Sequence, residues 1–242
     1  MTYCVAIMID AGIVFASDSR TNAGVDNVST FRKMRTFENP GERALLFVNS
    51  GNLAVTQATI NQLDQSVRRN IEPNLMSVRS MYDVAELVGA ALREVRHRDG
   101  PYLMENNVDS SANFIVGGQI AGEQPRLFMV YAEGNFIEAT PETPYFQIGE
   151  TKYGKPIIDR VVTGNTCMDD TVKCMLVSFD STMRSNLSVG FPIDLACYDR
   201  DTMRIGRTHR FDEQDPYMKR LSQSWGEGVR RAFGQLPNVE WH

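Results

Sequence analysis

Two short apolar runs open the chain, Tyr3-Cys4-Val5-Ala6-Ile7-Met8-Ile9 and residues 13–17, with only Asp10-Ala11-Gly12 between them. Asp and Gly supply a turn and its positive φ, so the runs read as a hairpin. In the first run the period of two puts Cys4, Ala6 and Met8 on one face and Tyr3, Val5, Ile7 and Ile9 on the other. Neither set is polar. A hairpin with one wet face would alternate apolar with polar side chains, so this one belongs to a sheet covered on both sides.

The remaining patterns supply the cover. Strands are expected from Lys33 to Phe37 and from Arg43 to Asn49, joined by Glu38-Asn39-Pro40-Gly41-Glu42. Ser50-Gly51 then leads into a helix over roughly 52–71, with Val55, Thr59 and Leu63 at four-residue steps, and a second helix follows over about 80–97. Three strands, Asn113 to Gly117, Arg126 to Ala132 and Asn135 to Thr140, read as a meander. Helices over about 150–163 and 168–186 come next. Strands from Asp194 to Asp199 and Arg204 to Phe211 then precede a last helix over about 215–233. Strands, two helices, strands, two helices, strands and a helix make an α+β chain, with two stacked sheets between two helical layers. No repeat or linker interrupts the 242 residues, and one domain over 1–242 is expected.

Composition excludes several partners. With 25 Lys+Arg against 30 Asp+Glu the net charge is −5, evenly spread, which argues against nucleic acid. Cys4, Cys167, Cys174 and Cys197 have no CxxC spacing and read as small reduced hydrophobes. The start lacks the charged and small-residue pattern of a signal peptide, and no apolar run approaches ~18 residues. A cytoplasmic protein outside the membrane is expected. No spacing of ligating residues suggests a metal, and no GxxxxGK[ST] run suggests a nucleotide, so no cofactor is expected. Asp169-Asp170 suits the start of a helix better than a metal site.

Thr2 is the first candidate for chemistry. Removal of Met1 would leave an amine and a hydroxyl on one residue, and a free α-amine titrates near ~7.7–8.0, so that it can accept the hydroxyl proton. The alternative is that a small residue at position 2 is simply a common translational start. Any histidine partner would have to be His97, His209 or His242. Cys4, in mid-strand, reads as core rather than as a nucleophile.

Other residues gather around Thr2. Asp18 ends the hairpin in Ser17-Asp18-Ser19-Arg20-Thr21-Asn22-Ala23-Gly24, which returns it beside the chain start, and Lys33 opens the third strand. Thr at the start, Asp in an SDxRxxxG-like turn and Lys in a short strand resemble the β subunits of the proteasome and related bacterial peptidases, which are N-terminal nucleophile hydrolases. Within that group, Ser17 to Gly24, Val48-Asn49-Ser50-Gly51-Asn52-Leu53 and Ser188-Val189-Gly190-Phe191-Pro192-Ile193-Asp194-Leu195 are most similar to the proteasome-like bacterial family called Anbu.

The resemblance implies a four-layer αββα sandwich, self-assembly into rings or shallow helices, and a peptidase-type site facing inward. Thr2 would then attack a carbonyl with its α-amine as base. Lys33 would favour the alkoxide, Asp18 would hold Lys33, and the Gly51 N–H would donate to the oxyanion. The implied activity is that of a self-assembling threonine-type hydrolase cutting peptide or other amide bonds. Any energy-dependent unfolding would fall to a separate ATPase. The alternative is a proteasome-fold scaffold or binding protein with a vestigial pocket.

Two departures from the family pattern bear on that choice. Glu150, in Ile148-Gly149-Glu150-Thr151, stands where proteasome subunits carry a serine. In Arg184-Ser185-Asn186-Leu187-Ser188, Ser188 matches the expected serine while the expected aspartate three residues before it has no clear equivalent.

Overall fold

The computed structural model describes residues 2–22 and 28–241. Met1, Ala23, Gly24 and His242, all of which enter the reading above, lie outside the described residues.

The opening hairpin forms as expected, β1 (Tyr3–Ile9) against β2 (Gly12–Asp18). A short ribbon follows, β3 (Arg20–Asn22) and β4 (Val28–Thr30), and then β5 (Met34–Asn39) and β6 (Arg43–Gly51). Two helices come next, α1 (Leu53–Arg68) and α2 (Met81–Glu105). The meander is β7 (Ala112–Ile120), β8 (Arg126–Val130) and β9 (Phe136–Glu138), and β10 (Tyr145–Gly149) follows it. The chain closes with α3 (Lys155–Val161), α4 (Met168–Ser185), β11 (Ile193–Asp199), β12 (Arg207–Phe211) and α5 (Pro216–Gly234).

Two five-stranded sheets result, both antiparallel throughout, in the orders β10-β1-β2-β11-β12 and β5-β6-β7-β8-β9. The two faces of β1 go where its alternation directs them. Cys4 and Ala6, with Ile13 and Phe15 of β2, pack against Leu46 and Val48 of β6 and Ile115 of β7 in a core between the sheets. Tyr3, Val5 and Ile7 pack the other way, with Leu176 and Phe179 of α4. On the second sheet, Phe47 and Phe114 meet Val55 and Leu63 of α1 and Val88 and Leu92 of α2. At about 25 cal/mol per Å² of apolar surface, burial on both faces of both sheets is the main term holding the fold together.

Local chemistry sets the helix ends. The Asn52 side chain accepts from the N–H groups of Ala54 and Val55 at the start of α1. Ser80 and Asp83 form a reciprocal capping box on α2, and Asp215 caps α5 immediately before Pro216. Helix α2 runs eight residues past its expected end, through Pro101. Helix α3 is shorter than the helix expected over 150–163, because Tyr145–Gly149 forms β10 and the turn after it occupies the first residues of that range. Among the described residues no helix is long and apolar enough to cross a membrane.

Candidate functional site

The hairpin brings Asp18 back to the chain start. Its carboxylate Oδ1 accepts from the Tyr3 N–H at 3.1 Å and from Lys33 Nζ at 2.9 Å. Lys33 Nζ also donates to the Arg20 carbonyl at 2.6 Å. The pair is dry, with side-chain exposures of 6% for Lys33 and 0% for Asp18. Burial raises the Asp18 carboxyl above the ordinary carboxylate range, while the Lys33 ammonium and the Tyr3 N–H pull the other way. The backbone of Lys33 is fixed as well, because its carbonyl accepts from both the Asn49 side chain, at 2.9 Å, and the Asn49 N–H. Lys33 precedes β5 by one residue rather than opening it.

In front of this pair lies a cleft of about 590 Å³ lined by Thr2, Thr21, Lys33 and Gly51, among others. Gly51 ends β6 at φ +107°, and a Cβ there would stand 2.2 Å from the Ser111 carbonyl oxygen, so only glycine fits. Thr21 Oγ1 is buried and has no hydrogen-bond partner among the described residues. Thr2, Lys33 and Gly51 therefore share one cleft, with Asp18 behind Lys33. Ser188 is not among the lining residues, and its N–H donates to Asn186 Oδ1 at 3.0 Å on the loop after α4. Neither His97 nor His209 lines the cleft. Cys4 donates from the β1 interior to the Asn49 carbonyl, and burial pushes its thiol well above the usual range, which disarms it as a nucleophile. Among the described residues no group of three or more His, Cys, Asp or Glu is placed to hold a metal ion.

The sequence reading missed two connections. Strand β10 pairs with β1 in the register Tyr3 to Gly149, which sets Thr2 opposite Glu150, and the Glu150 N–H donates to the Thr2 carbonyl at 2.7 Å. Gly149 makes this possible at φ +86°, because a Cβ there would come within 1.9 Å of the Thr2 oxygen. The Glu150 carboxylate, nearly buried, in turn accepts from the Asn186 side-chain amide at 3.0 Å. Asn186, next to the position where the family pattern expects an aspartate, bridges Glu150 to the Ser188 backbone. A carboxylate stands where the family pattern has a serine, and the Asn186 amide satisfies it. The signal that could have found it was the pair of departures read together, since a buried carboxylate calls for a nearby donor.

Removing that donor has a measurable cost. Asn186→Ala is expected to lower stability by about 1–3 kcal/mol, the range for leaving a buried polar group unpaired. Urea unfolding at matched protein concentration checks this, and a loss equal to that of an exposed control on the same helix end would remove the bridge from the account.

No protein-family model matches the chain, and no curated protein does. Solved structures do. Anbu (ancestral beta-subunit) from Yersinia bercovieri is 49% identical, covers 100% of both chains and superimposes with a TM-score of 0.94. The chain belongs to the Anbu family. A Gly-1 mutant of Anbu from Hyphomicrobium sp. strain MC1 is 46% identical over 100% of both chains, with a TM-score of 0.93. The Anbu complex of Pseudomonas aeruginosa, solved as a helical assembly, is 49% identical over 99% of this chain and 98% of that one, with a TM-score of 0.94. The mixed fold of antiparallel sheets and helices is that of the Anbu proteins and is consistent with the proteasome β subunits and N-terminal nucleophile hydrolases.

Membership corrects the expected activity. Anbu proteins are related to proteasome subunits but are in general non-proteolytic scaffolds, which overturns the reading of this chain as a hydrolase, protease or threonine-type peptidase or amidohydrolase. The physical reason for the wrong expectation is plain in the cleft. Thr2, Lys33 and Gly51 line it and were legible one by one, whereas the hydrogen bond between Glu150 and Asn186, which alters what surrounds Thr2, showed only when the two positions were brought together.

Proposed function

We propose that this Anbu chain is a self-assembling scaffold built on the proteasome fold, with the Thr2 cleft kept as an inherited polar pocket. The observation that carries the proposal is the 49% identity, over 99% of this chain, to an Anbu complex solved as a helical assembly. Glu150 in place of serine, tied to Asn186, supports it from within the site. In this reading Asp18 and Lys33 act as a buried structural pair. Gly51 keeps a tight connection into α1, and Thr2 and Ser188 are anchored through Glu150 and Asn186. With no peptidase chamber to feed, the reading calls for no ATPase.

The layering belongs to the same proposal. The three cores described above fit one domain over 1–242, ordered as helices, sheet, sheet and helices, the four-layer αββα sandwich. Four free cysteines fit a reducing cytoplasm.

Light scattering on the purified chain tests the assembly, with species of many subunits expected at micromolar concentration. A monomer at all accessible concentrations overturns it. Fluorogenic peptides are expected to show no turnover, and turnover that disappears in Thr2→Ala would overturn the inactive pocket.

A further inference from the structure

Strand β5 is an open edge. Among the described residues it pairs only with β6, in a register that sets Met34 opposite Val48, and the Asn49 N–H donates to the Lys33 carbonyl. In an antiparallel ladder the backbone groups alternate between the partner strand and the outside. Lys33, Arg35, Phe37 and Asn39 therefore turn theirs to β6, and Met34, Thr36 and Glu38 turn theirs outward. A cleft lies on each face of this edge. One, of about 400 Å³, is walled by Phe31, Arg32 and Arg35 on the side of α1. The other, of about 420 Å³, lies towards β12 and is walled by Arg32, Arg35 and Thr36 with Thr208 and Arg210.

The charge in these clefts is one-sided. Arg32 and Arg35 are exposed, line both clefts, and their guanidinium groups have no hydrogen-bond or ion-pair partner among the described residues. The carboxylate in the second cleft, Asp194, is occupied by two hydrogen bonds from Arg210, at 2.6 and 2.8 Å. Glu38, at the far end of β5, accepts from the Ile205 N–H. Two free guanidiniums thus flank a row of free backbone donors and acceptors, in a chain whose net charge is −5.

We infer that the β5 edge is a docking site for an extended acidic segment of a partner protein, added as a further strand to the sheet. An added strand sends alternate side chains to opposite faces, which here means into the two clefts. The backbone of Met34, Thr36 and Glu38 supplies the pairing, and Arg32 and Arg35 select carboxylates, to which a guanidinium donates bidentately. The inference goes beyond the scaffold reading, since the pairing edge and the cleft towards β12 share no lining residue with the Thr2 cleft, although the cleft on the α1 side adjoins it through Asn49, Leu53 and Thr56.

The test is fluorescence anisotropy of the full chain with a labelled peptide of about eight residues alternating Glu and Val, matched to the two-face period of a strand. The Lys-Val counterpart and single-stranded oligothymidylate serve as competing probes. The acidic peptide is expected to bind best, and R32E/R35E to weaken it by about tenfold or more, as does added salt. Thr36→Pro deletes an outward N–H at an edge position where proline is tolerated, and is expected to abolish binding without loss of fold. Should that variant not fold, hydrogen exchange of the wild-type Met34, Thr36 and Glu38 amides decides the point, with added protection by the peptide expected.

Equal binding of the basic peptide, tighter binding of the oligonucleotide, full binding by a folded Thr36→Pro chain, or no added protection would each overturn the proposal. So would a change of oligomer size in R32E/R35E, which would make the occupant a second copy.

Discussion

Lys33→Met is expected to cost about 3–5 kcal/mol of stability at neutral pH, because it strands the Asp18 carboxylate in a dry site with its cationic partner gone. The pH dependence gives the loss a signature. Burial already holds the Asp18 carboxyl above its ordinary value with Lys33 present, and loss of the ammonium raises it further. Over the interval between the unfolded value and the raised one the folded chain binds more protons than the unfolded chain, so stability falls as pH rises through it. Lys33→Met is therefore expected to recover as the solution is acidified towards the lower end of that interval. Asp18→Asn added to Lys33→Met is expected to restore much of the loss at neutral pH, since a neutral amide still accepts from the Tyr3 N–H. Urea unfolding of both variants at equal protein concentration checks it. If Lys33→Met unfolds with the wild type and shows no dependence on pH, the pair is not the structural element described.

The other large effect lies between the sheets. Phe15 is fully buried there, its neighbours in register are Ala6 on β1 and Ala196 on β11, and across the gap its ring stands 3.0 Å from where a Cβ on Gly117 would sit. One large ring over three small residues fills space that those residues cannot close by moving. Phe15→Ala is therefore expected to fall at the upper end of the usual range of about 3–5 kcal/mol, with Phe15→Leu losing much less. Unfolding in urea measures both. Equal and small losses in the two variants would mean that the sheets collapse onto the cavity.

Much of this architecture could be read from pattern. The two-faced hairpin showed itself because Tyr3 to Ile9 carries no charged residue, Asp18 because it ends an apolar strand, and Lys33 only through its order after Thr2 and Asp18. Strand β10 did not, because Pro141 and Pro144 immediately before it made Tyr145–Gly149 look like the approach to a helix. The same segment carries Glu150 to Thr2, so an error about one short strand became an error about the surroundings of the site. Asn186 was equally silent, since at the end of α4 an asparagine resembles an ordinary helix terminator and only the fold shows what its amide touches. The extension of α2 through Pro101 was hidden by the usual rule that proline stops a helix.

The bridge from Glu150 through Asn186 to the Ser188 backbone bears on the routes open to mutation. Restoring serine at position 150 alone would deprive the Asn186 amide of its acceptor. Placing aspartate at 186 alone would set two carboxylates side by side with nothing between them. Each single step passes through a less stable chain. The site is thus a ratchet in sequence space, in which glutamate and asparagine hold each other in place through folding stability, whatever the use of the pocket.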